Sequence, residues 1–173
     1  MKSDFPQYLT NFLSQYLPGE KNLSTNTISS YRDTFKLFLI FCENDKNIFP
    51  EKLAIQKITK QLVLEYLDWL EQKRQNSIST RNQRLGALHS FFRYVQKEYP
   101  ENLYEIQKIL SIPSKKKAKP MISYLTGDEM EILLKQPDLS NEKGLRDLLL
   151  IAILYDTAAR VQEIIDIKLK NIR

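Results

Sequence analysis

The sequence is short of cysteine, of glycine and of long apolar runs, and each shortage excludes a class of protein. With one cysteine, Cys42, an internal disulfide and a cysteine-rich metal site are excluded, and a reducing cytoplasm is the expected compartment. Four glycines in 173 residues, with little alternating polarity, disfavour sheets and predict an all-α fold. No apolar run approaches the ~20 residues that span a bilayer, and no signal core begins the chain, so no membrane partner is expected.

Positive charge is unevenly distributed along the chain. Residues 1–123 carry 19 Lys and Arg against 12 Asp and Glu, a net of +7, whereas residues 124–173 carry 7 against 9, a net of −2. From Gln72 to Lys97 there are six Lys and Arg and no acidic residue. This asymmetry favours a nucleic-acid partner for the first part. The sequence shows no metal or nucleotide motif, so we expect neither a metal nor a cofactor.

Apolar residues repeat every three or four positions through the first part and predict a bundle of four to five helices. The predicted spans are residues 5–17, 24 to about 44, 59 to about 75, 79 to about 99, and 102–110. Pro18 and Gly19 are expected to end the first helix. Tyr31, Tyr66 and Tyr94 lie on or beside the apolar stripes and are predicted to be packing residues.

The fourth predicted helix has the strongest candidate surface for nucleic acid. Its outer face is acid-free and holds a small glycine, hydroxyls and amides, which suits close approach to phosphates, while the alternative is an ordinary solvated face. With three positions from the second helix, the candidate contacts are Thr27, Arg32, Lys36, Ser79, Thr80, Arg81, Asn82, Arg84, Gly86, His89, Ser90, Arg93 and Lys97. We expect alanine at Arg81, Arg84 or Arg93 to weaken binding.

A lysine-rich stretch predicts a linker at residues 114–123, between a first domain at 1–113 and a second at 124–173. The four lysines Lys115, Lys116, Lys117 and Lys119 lie between two prolines and cannot form a core. The linker is either a solubilising tether or a strap that follows a phosphate backbone.

The second part predicts a helix at residues 128–135, begun by Thr126, and a loop at 137–144. Eight apolar or aromatic residues at 148–155 predict a helix buried on every side, with Tyr155 in the core. Arg160 begins the next short helix, where the helix dipole disfavours a cation. Residues 167–173 alternate in polarity and predict a short strand.

Four stretches resemble the tyrosine recombinases, the family of phage and transposon integrases and of recombinases that resolve chromosome dimers. Residues 23–33 (LSTNTISSYRD) resemble the family's second-helix opening, and residues 79–94 (STRNQRLGALHSFFRY) resemble its main DNA-contacting helix. Residues 124–134 (YLTGDEMEILL) are similar to the first helix of the catalytic domain, and residues 154–165 (LYDTAARVQEII) to the T-G-x-R-x-x-E box. The stretches occur in the family's order over almost the whole chain.

The resemblance implies a SAM-like core-binding domain, followed by part of a catalytic domain, that binds double-stranded DNA. In such an enzyme Arg160 would contact the scissile phosphate, and Glu163 would hold the Arg160 guanidinium or backbone in place. The alternative is an ordinary Arg–Glu surface pair. Ala158 stands where the family has glycine, at a turn where a positive φ would add strain, and Gln162 stands where serine is common.

The resemblance leaves several catalytic groups without a counterpart, among them the second arginine and the nucleophilic tyrosine. The single histidine, His89, lies in the other domain. We therefore expect this chain to bind DNA without cutting it. Three interpretations stay open: part of an active recombinase, a stand-alone regulator that pairs with itself or with a full-length recombinase on DNA, and a helical protein-interaction module.

Overall fold

The computed structural model describes residues 4–98, 102–117, 124–168 and 170. Its contacts divide the chain into two compact units, Met1–Ala118 and Lys119–Arg173, so the division falls within the predicted linker. The first unit contains α1 (Phe5–Asn11), α2 (Thr25–Lys46), α3 (Lys60–Gln72), α4 (Ile78–Glu98) and α5 (Leu103–Leu110), with two 3₁₀ turns, Pro50–Lys52 and Ile55–Lys57, before α3. The second contains α6 (Gly127–Leu134), α7 (Glu142–Thr157) and α8 (Val161–Ile165). Over these ranges no strand forms, and the predicted all-α fold is confirmed.

The first helix differs from the prediction in its second half. α1 continues directly into a π-helix, Phe12–Glu20, which contains Pro18 and passes the expected end at residue 17. The Lys21 amide donates to the Tyr16 carbonyl at 3.0 Å, the i→i+5 bond that defines this helix type. Sequence periodicity assumes 3.6 residues per turn, so it does not reveal a stretch with a wider turn.

Phe12, in the π-helix, is the centre of an aromatic core in the first unit. Its side chain is fully buried, and its ring centroid lies 5.3 Å from that of Phe91, 5.5 Å from Tyr94 and 6.1 Å from Phe35. The predicted inner faces of α2, α3 and α4 are buried around it, at Phe35, Phe38, Cys42, Leu62, Val63, Tyr66, Leu67, Leu70, Leu85, Leu88, Phe92 and Val95. Burial of these apolar faces holds the helices together more than helix propensity does.

Hydroxyl side chains begin several helices where the sequence predicts them. The Ser24 hydroxyl accepts from the Thr27 amide at 3.3 Å, and the Thr59 hydroxyl accepts from the Leu62 amide at 3.2 Å. In the second unit Thr126 and Glu129 form a capping box, in which each side chain accepts from the other residue's amide. α4 begins slightly earlier than predicted, because the Ser77 hydroxyl accepts from the Thr80 amide. These bonds satisfy amides that have no partner inside the helix.

The prediction that residues 148–155 form a helix buried on every side is wrong. They form the main part of α7, yet Leu149 is 60% exposed and Tyr155, expected in the core, is 59% exposed. An apolar helix is buried all round only where neighbouring elements surround it. In the second unit α6 packs on one side of α7, and the short α8 adds little cover.

Backbone geometry fixes both ends of α7. At its start the Asn141 side chain accepts from the Gly144 amide at 2.9 Å, and a Cβ added to Gly144 would lie 1.8 Å from the Asp138 carbonyl oxygen. At its end Ala158 has φ 49°, so the predicted positive φ is confirmed. A residue with a Cβ in this conformation costs roughly 1–2 kcal/mol, which glycine would avoid. The turn that leads to Arg160 is therefore strained.

The predicted strand at residues 167–173 is not formed where the structure describes that segment. Ile167 and Lys168 lie outside any regular element and Lys170 lies in a helical turn, while residues 169 and 171–173 fall outside the described residues. Among the described helices, none is long and apolar enough to cross a membrane.

Candidate nucleic-acid interface

The outer face of α4 is open at its centre and carries cations toward its end. Gly86, Arg93 and Lys97 are exposed, and Ser90 is half-buried. A Cβ added at Gly86 would meet no atom within 4 Å, so the backbone there can be approached closely. Neither Arg93 nor Lys97 forms an ion pair with a residue that the structure describes. This face can therefore meet an anion without breaking an internal contact.

Arg81 is buried and does not belong to the set of exposed DNA contacts that the sequence predicted. Its side chain is buried, with 3% of the residue exposed, and its Nε lies 3.2 Å from Oε1 of Glu71. That nitrogen is misaligned for a hydrogen bond, but Nη1 donates to the Asn82 side chain at 3.2 Å and to the Pro113 carbonyl at 3.4 Å. A phosphate could reach this guanidinium only if these contacts broke, so Arg81 is a structural residue.

Arg84 is also turned inward, against the prediction. Its Nη1 donates to the Ser30 carbonyl at 2.8 Å and to the Thr34 hydroxyl at 3.0 Å, both on α2. Gln83 beside it donates to the Ser30 hydroxyl at 3.0 Å. These bonds hold α4 against α2 and use both hydrogens of Nη1, and Nε is buried without a partner.

The first residues of the predicted linker are fixed on the first unit. The Asn82 side chain donates to the Lys115 carbonyl at 2.8 Å and accepts from the Lys115 amide at 3.0 Å. The Lys115 ammonium binds both carboxylate oxygens of Glu71, at 2.8 and 2.9 Å. Asn82 and Lys115, both predicted DNA contacts, are therefore engaged with each other, and Lys115 is also engaged with Glu71.

The remaining linker lysines differ from Lys115. Lys116 and Lys117 are exposed, whereas Lys119 lies outside the described residues. Residues 113–115 are fixed beside the start of α4. Lys116 and Lys117 are the next two residues of the chain after this fixed segment.

His89 is held against α5 at the edge of the α4 face. Its Nε2 lies 3.1 Å from the Ile109 carbonyl on α5, and since a carbonyl only accepts, this nitrogen carries the proton. Burial lowers the pKa of His89, the bond to Ile109 opposes that shift, and nearby Arg93 adds to it. The lowered pKa favours the uncharged imidazole, and the bond to the Ile109 carbonyl holds the ring against α5. His89 therefore offers no free donor on the α4 face, which corrects its predicted role.

The candidates on α2 do not join the α4 face through any described contact. Arg32 and Lys36 are exposed as predicted, and the half-buried Thr27 lies 3.0 Å from the Ser24 hydroxyl within the helix start. α2 meets α4 through Ser30 and Thr34. At roughly 100° per residue, Arg32 lies about 200° around the helix from Ser30, on a different side. At the start of α4, Ser79 is exposed and Thr80 bonds Ser77 at 3.2 Å.

In the second unit, Glu163 holds Arg160 at the start of α8. The Arg160 amide donates to Oε2 of Glu163 at 2.8 Å, and its guanidinium donates to Oε1 at 2.9 Å. These two bonds, the backbone one first, hold the pKa of Glu163 below its ordinary value. The Arg160 side chain is 85% exposed, so most of the guanidinium edge faces solvent. The acidic partner also offsets the unfavourable helix dipole.

Sequence reasoning missed Glu71 and Gln83, which organise the surroundings of α4. Glu71 lies just before the acid-free stretch and binds two cations, Arg81 within that stretch and Lys115 beyond it. A signal for Arg81 was present: it precedes Leu85 and Leu88 at i+4 and i+7, on the apolar stripe. No local pattern indicated the bond between Asn82 and Lys115, which are 33 residues apart.

In the described ranges, no group of three or more His, Cys, Asp or Glu side chains is placed to hold a metal ion.

Comparison with known proteins decides the family. Residues 9–114, more than half of the chain, match the model of the phage integrase N-terminal SAM-like domain. The chain belongs to the phage integrase family. The matched region begins within α1, contains α2 to α5 and ends at the residues that dock beside α4.

The relatives of this chain are recombinases by name. It is 39% identical over 160 residues to integrase/recombinase y4rC of Sinorhizobium fredii, covering 92% of this chain and 48% of that protein. It is 30% identical to tyrosine recombinase XerD of Pseudomonas putida (88% of this chain, 48% of that protein) and 30% identical to tyrosine recombinase XerC of Anoxybacillus flavithermus (95% and 52%). The chain thus spans about half the length of these relatives. No solved structure matches it significantly.

Proposed function

We propose that the chain binds double-stranded DNA through the outer face of α4, as the DNA-binding part of a cytoplasmic tyrosine recombinase that cuts and rejoins DNA through a phosphotyrosine. The observation that carries this proposal is the combination of exposed Arg93 and Lys97 with open backbone at Gly86, in a stretch that has no acidic residue from Gln72 to Lys97. Solvated helix faces usually mix both signs of charge, because opposite charges four residues apart stabilise a helix.

Phosphate contacts would supply most of the affinity of such a face. Each Lys or Arg that neutralises a phosphate releases condensed counterions, so affinity falls as salt rises. Lys116 and Lys117 extend the positive charge from the docked residues 113–115. Thr27, Arg32 and Lys36 on α2 are proposed as further contacts with smaller effects. Arg32 and Lys36 lie on a different side of α2 from Ser30 and Thr34, and Thr27 is half-buried at the start of the helix. Arg81 and Arg84 act indirectly. Arg81 binds Pro113 beside the start of α4, and Arg84 holds α4 against α2.

The double variant Arg93→Ala/Lys97→Ala is expected to bind duplex DNA more weakly than the wild type at low salt. Because two phosphate contacts are lost, the slope of log affinity against log salt should become shallower by about 1.8. Fluorescence anisotropy of a labelled duplex, titrated at several salt concentrations, measures both quantities. Self-association on DNA would appear in a mobility-shift assay as an additional, slower band.

The matched control removes the same charge elsewhere. Lys46 on α2 is paired with Glu65 on α3, and Lys73, just after α3, is paired with Asp45 on α2. The variant Lys46→Ala/Lys73→Ala should therefore leave the salt slope unchanged. Equal slopes for the two double variants would refute the proposed face. A wild-type chain with no affinity at low salt would refute DNA binding and favour a protein-interaction module.

In the proposed recombinase, Arg160 binds the scissile phosphate. Its exposed, forked guanidinium suits two non-bridging oxygens, and Glu163 fixes its direction. Stabilising the charge that develops during attack needs several donors around one phosphate. Among the described residues the Arg160 guanidinium hydrogen-bonds only Glu163, and His89 is held by Ile109 in the other unit.

This chain is accordingly expected to form no covalent adduct with DNA. A nicked suicide duplex, which traps the phosphotyrosine of a competent recombinase, should give no shifted protein band on a denaturing gel. The same duplex with a full-length tyrosine recombinase is the positive control. A trapped adduct would overturn the proposal that this chain binds without cutting.

A further inference from the structure

Asn82, near the start of α4, holds the beginning of the lysine-rich linker through both ends of its side-chain amide. Its Nδ2 donates to the Lys115 carbonyl at 2.8 Å, and its Oδ1 accepts from the Lys115 amide at 3.0 Å. Two bonds to the backbone of one residue fix the orientation of that residue as well as its position. This pair of bonds, called the Asn82 clamp below, makes the linker leave the first unit in a set direction.

The Asn82 amide is itself oriented by the buried Arg81. Nη1 of Arg81 donates to Oδ1 of Asn82 at 3.2 Å and to the Pro113 carbonyl at 3.4 Å. Because a guanidinium has donors only, the oxygen of the amide must face it, which leaves the amide nitrogen for the Lys115 carbonyl. Arg81 is held in turn by Glu71, whose Oε1 lies 3.2 Å from its Nε. The clamp is therefore set by the fold of the first unit.

Glu71 completes this network and is compensated within it. Its two carboxylate oxygens bind the Lys115 ammonium at 2.8 and 2.9 Å, in addition to the contact with Arg81. An uncompensated carboxylate beside the start of α4 would repel a phosphate. One carboxylate between two cations leaves the cluster positive, so the docked linker is compatible with a duplex on the α4 face.

Docking also decides where the next two lysines lie. Consecutive Cα atoms are 3.8 Å apart, so those of Lys116 and Lys117 lie within about 4 and 8 Å of that of Lys115. Both lysines are exposed. A free strap would have to give up backbone freedom when it bound a phosphate backbone, and this loss would lower its affinity. In the docked linker, part of that freedom is already lost before DNA binds.

We propose that Asn82 is a positioning residue for DNA binding, which clamps the linker so that Lys116 and Lys117 meet the duplex bound on α4. The proposal rests on the DNA-binding function proposed for the α4 face, and it makes the linker a strap and not a solubilising tether. Asn82 acts through these two lysines and makes no phosphate contact of its own.

Hydrogen exchange in the free protein tests the clamp. The Lys115 amide should exchange at least about tenfold faster in Asn82→Ala than in the wild type, because its acceptor is removed. Asn82 is half-buried, and urea denaturation followed by Trp69 fluorescence checks that the variant folds. The matched control is Gln83→Ala, which removes a neighbouring amide that donates to Ser30 at 3.0 Å and should leave this exchange unchanged.

A double-mutant cycle on a labelled duplex tests the function. Asn82→Ala should raise the dissociation constant about three- to tenfold and leave the salt slope unchanged, since no charge is lost. Lys116→Ala/Lys117→Ala should raise the constant and make the slope shallower by about 1.8. In that background Asn82→Ala should have no further effect, because the clamp has no lysines left to position.

A glycine insertion gives a second route to the same result. Two glycines inserted between Lys115 and Lys116 leave every contact of the clamp in place but free the lysines, so binding should weaken as it does in Asn82→Ala. Equal exchange of the Lys115 amide in Asn82→Ala and the wild type would overturn the clamp. An Asn82→Ala effect of the same size in both backgrounds, or none in the wild type, would overturn the positioning role and leave the α4 face standing. Only a wild type that binds no duplex at low salt would overturn both proposals.

Discussion

Replacing Phe12 by alanine is expected to lower the free energy of unfolding of the first unit by about 3–5 kcal/mol. Phe12 is fully buried, and its ring contacts those of Tyr16, Tyr31, Phe35, Phe91 and Tyr94, from the π-helix, α2 and α4. The loss combines the transfer free energy of the ring with the cavity that remains, because rings from three elements cannot all move in to fill it.

Urea denaturation followed by tryptophan fluorescence measures this effect for the correct unit. The one tryptophan, Trp69, lies on α3 with its ring 6.1 Å from that of Tyr66, so its signal reports the first unit alone. Tyr104→Ala is the matched control, since Tyr104 is 77% exposed and its loss should cost less than about 1 kcal/mol. A similar shift in both variants would show that Phe12 is not central to the core.

The sequence predicted the helices of the first unit because each one buries a single apolar stripe. Phe35, Phe38 and Cys42 on α2, like Leu62, Val63 and Tyr66 on α3, recur at helical spacing and are buried. The same reasoning misjudged α7, where Leu149 and Tyr155 are exposed. An apolar run states what a helix can bury but not which elements surround it. Burial of α7 is a tertiary property that periodicity does not contain.

The sequence predicted where the candidate site lies better than it predicted which residues belong to it. Charge counting identified α4, and Arg93 and Lys97 are exposed there. Counting treats every cation alike, whereas the register of the helix separates them: Arg81 shares its stripe with Leu85 and faces inward. The role of Lys115 depends on Glu71, 44 residues away, a contact that no local pattern specifies.

The contact between Glu71 and Arg81 leads to the second large effect: Glu71→Ala is expected to destabilise the first unit by about 3 kcal/mol. The Arg81 side chain is only 4% exposed, and Glu71 is the carboxylate that balances its charge. Removing one partner of a buried pair leaves an uncompensated charge, which typically costs about 3–5 kcal/mol. The lower end applies here because Glu71 is 24% exposed and Arg81 keeps its bonds to Asn82 and Pro113.

A second substitution distinguishes the stability cost of an unpaired buried charge from the cost of lost packing. In the Glu71→Ala background, Arg81→Met removes the buried charge while keeping an apolar stem, and it should recover part of the stability. Glu65→Ala is the control, because the pair of Glu65 with Lys46 is about one-third exposed and should be worth less than about 1 kcal/mol. Trypsin adds an independent readout: without Glu71 the Lys115 ammonium loses its partner, so cleavage within residues 115–117 should accelerate. If Glu71→Ala and Glu65→Ala unfold at the same urea concentration, the pair with Arg81 does not stabilise the fold, and Glu71 serves only to dock the linker through Lys115.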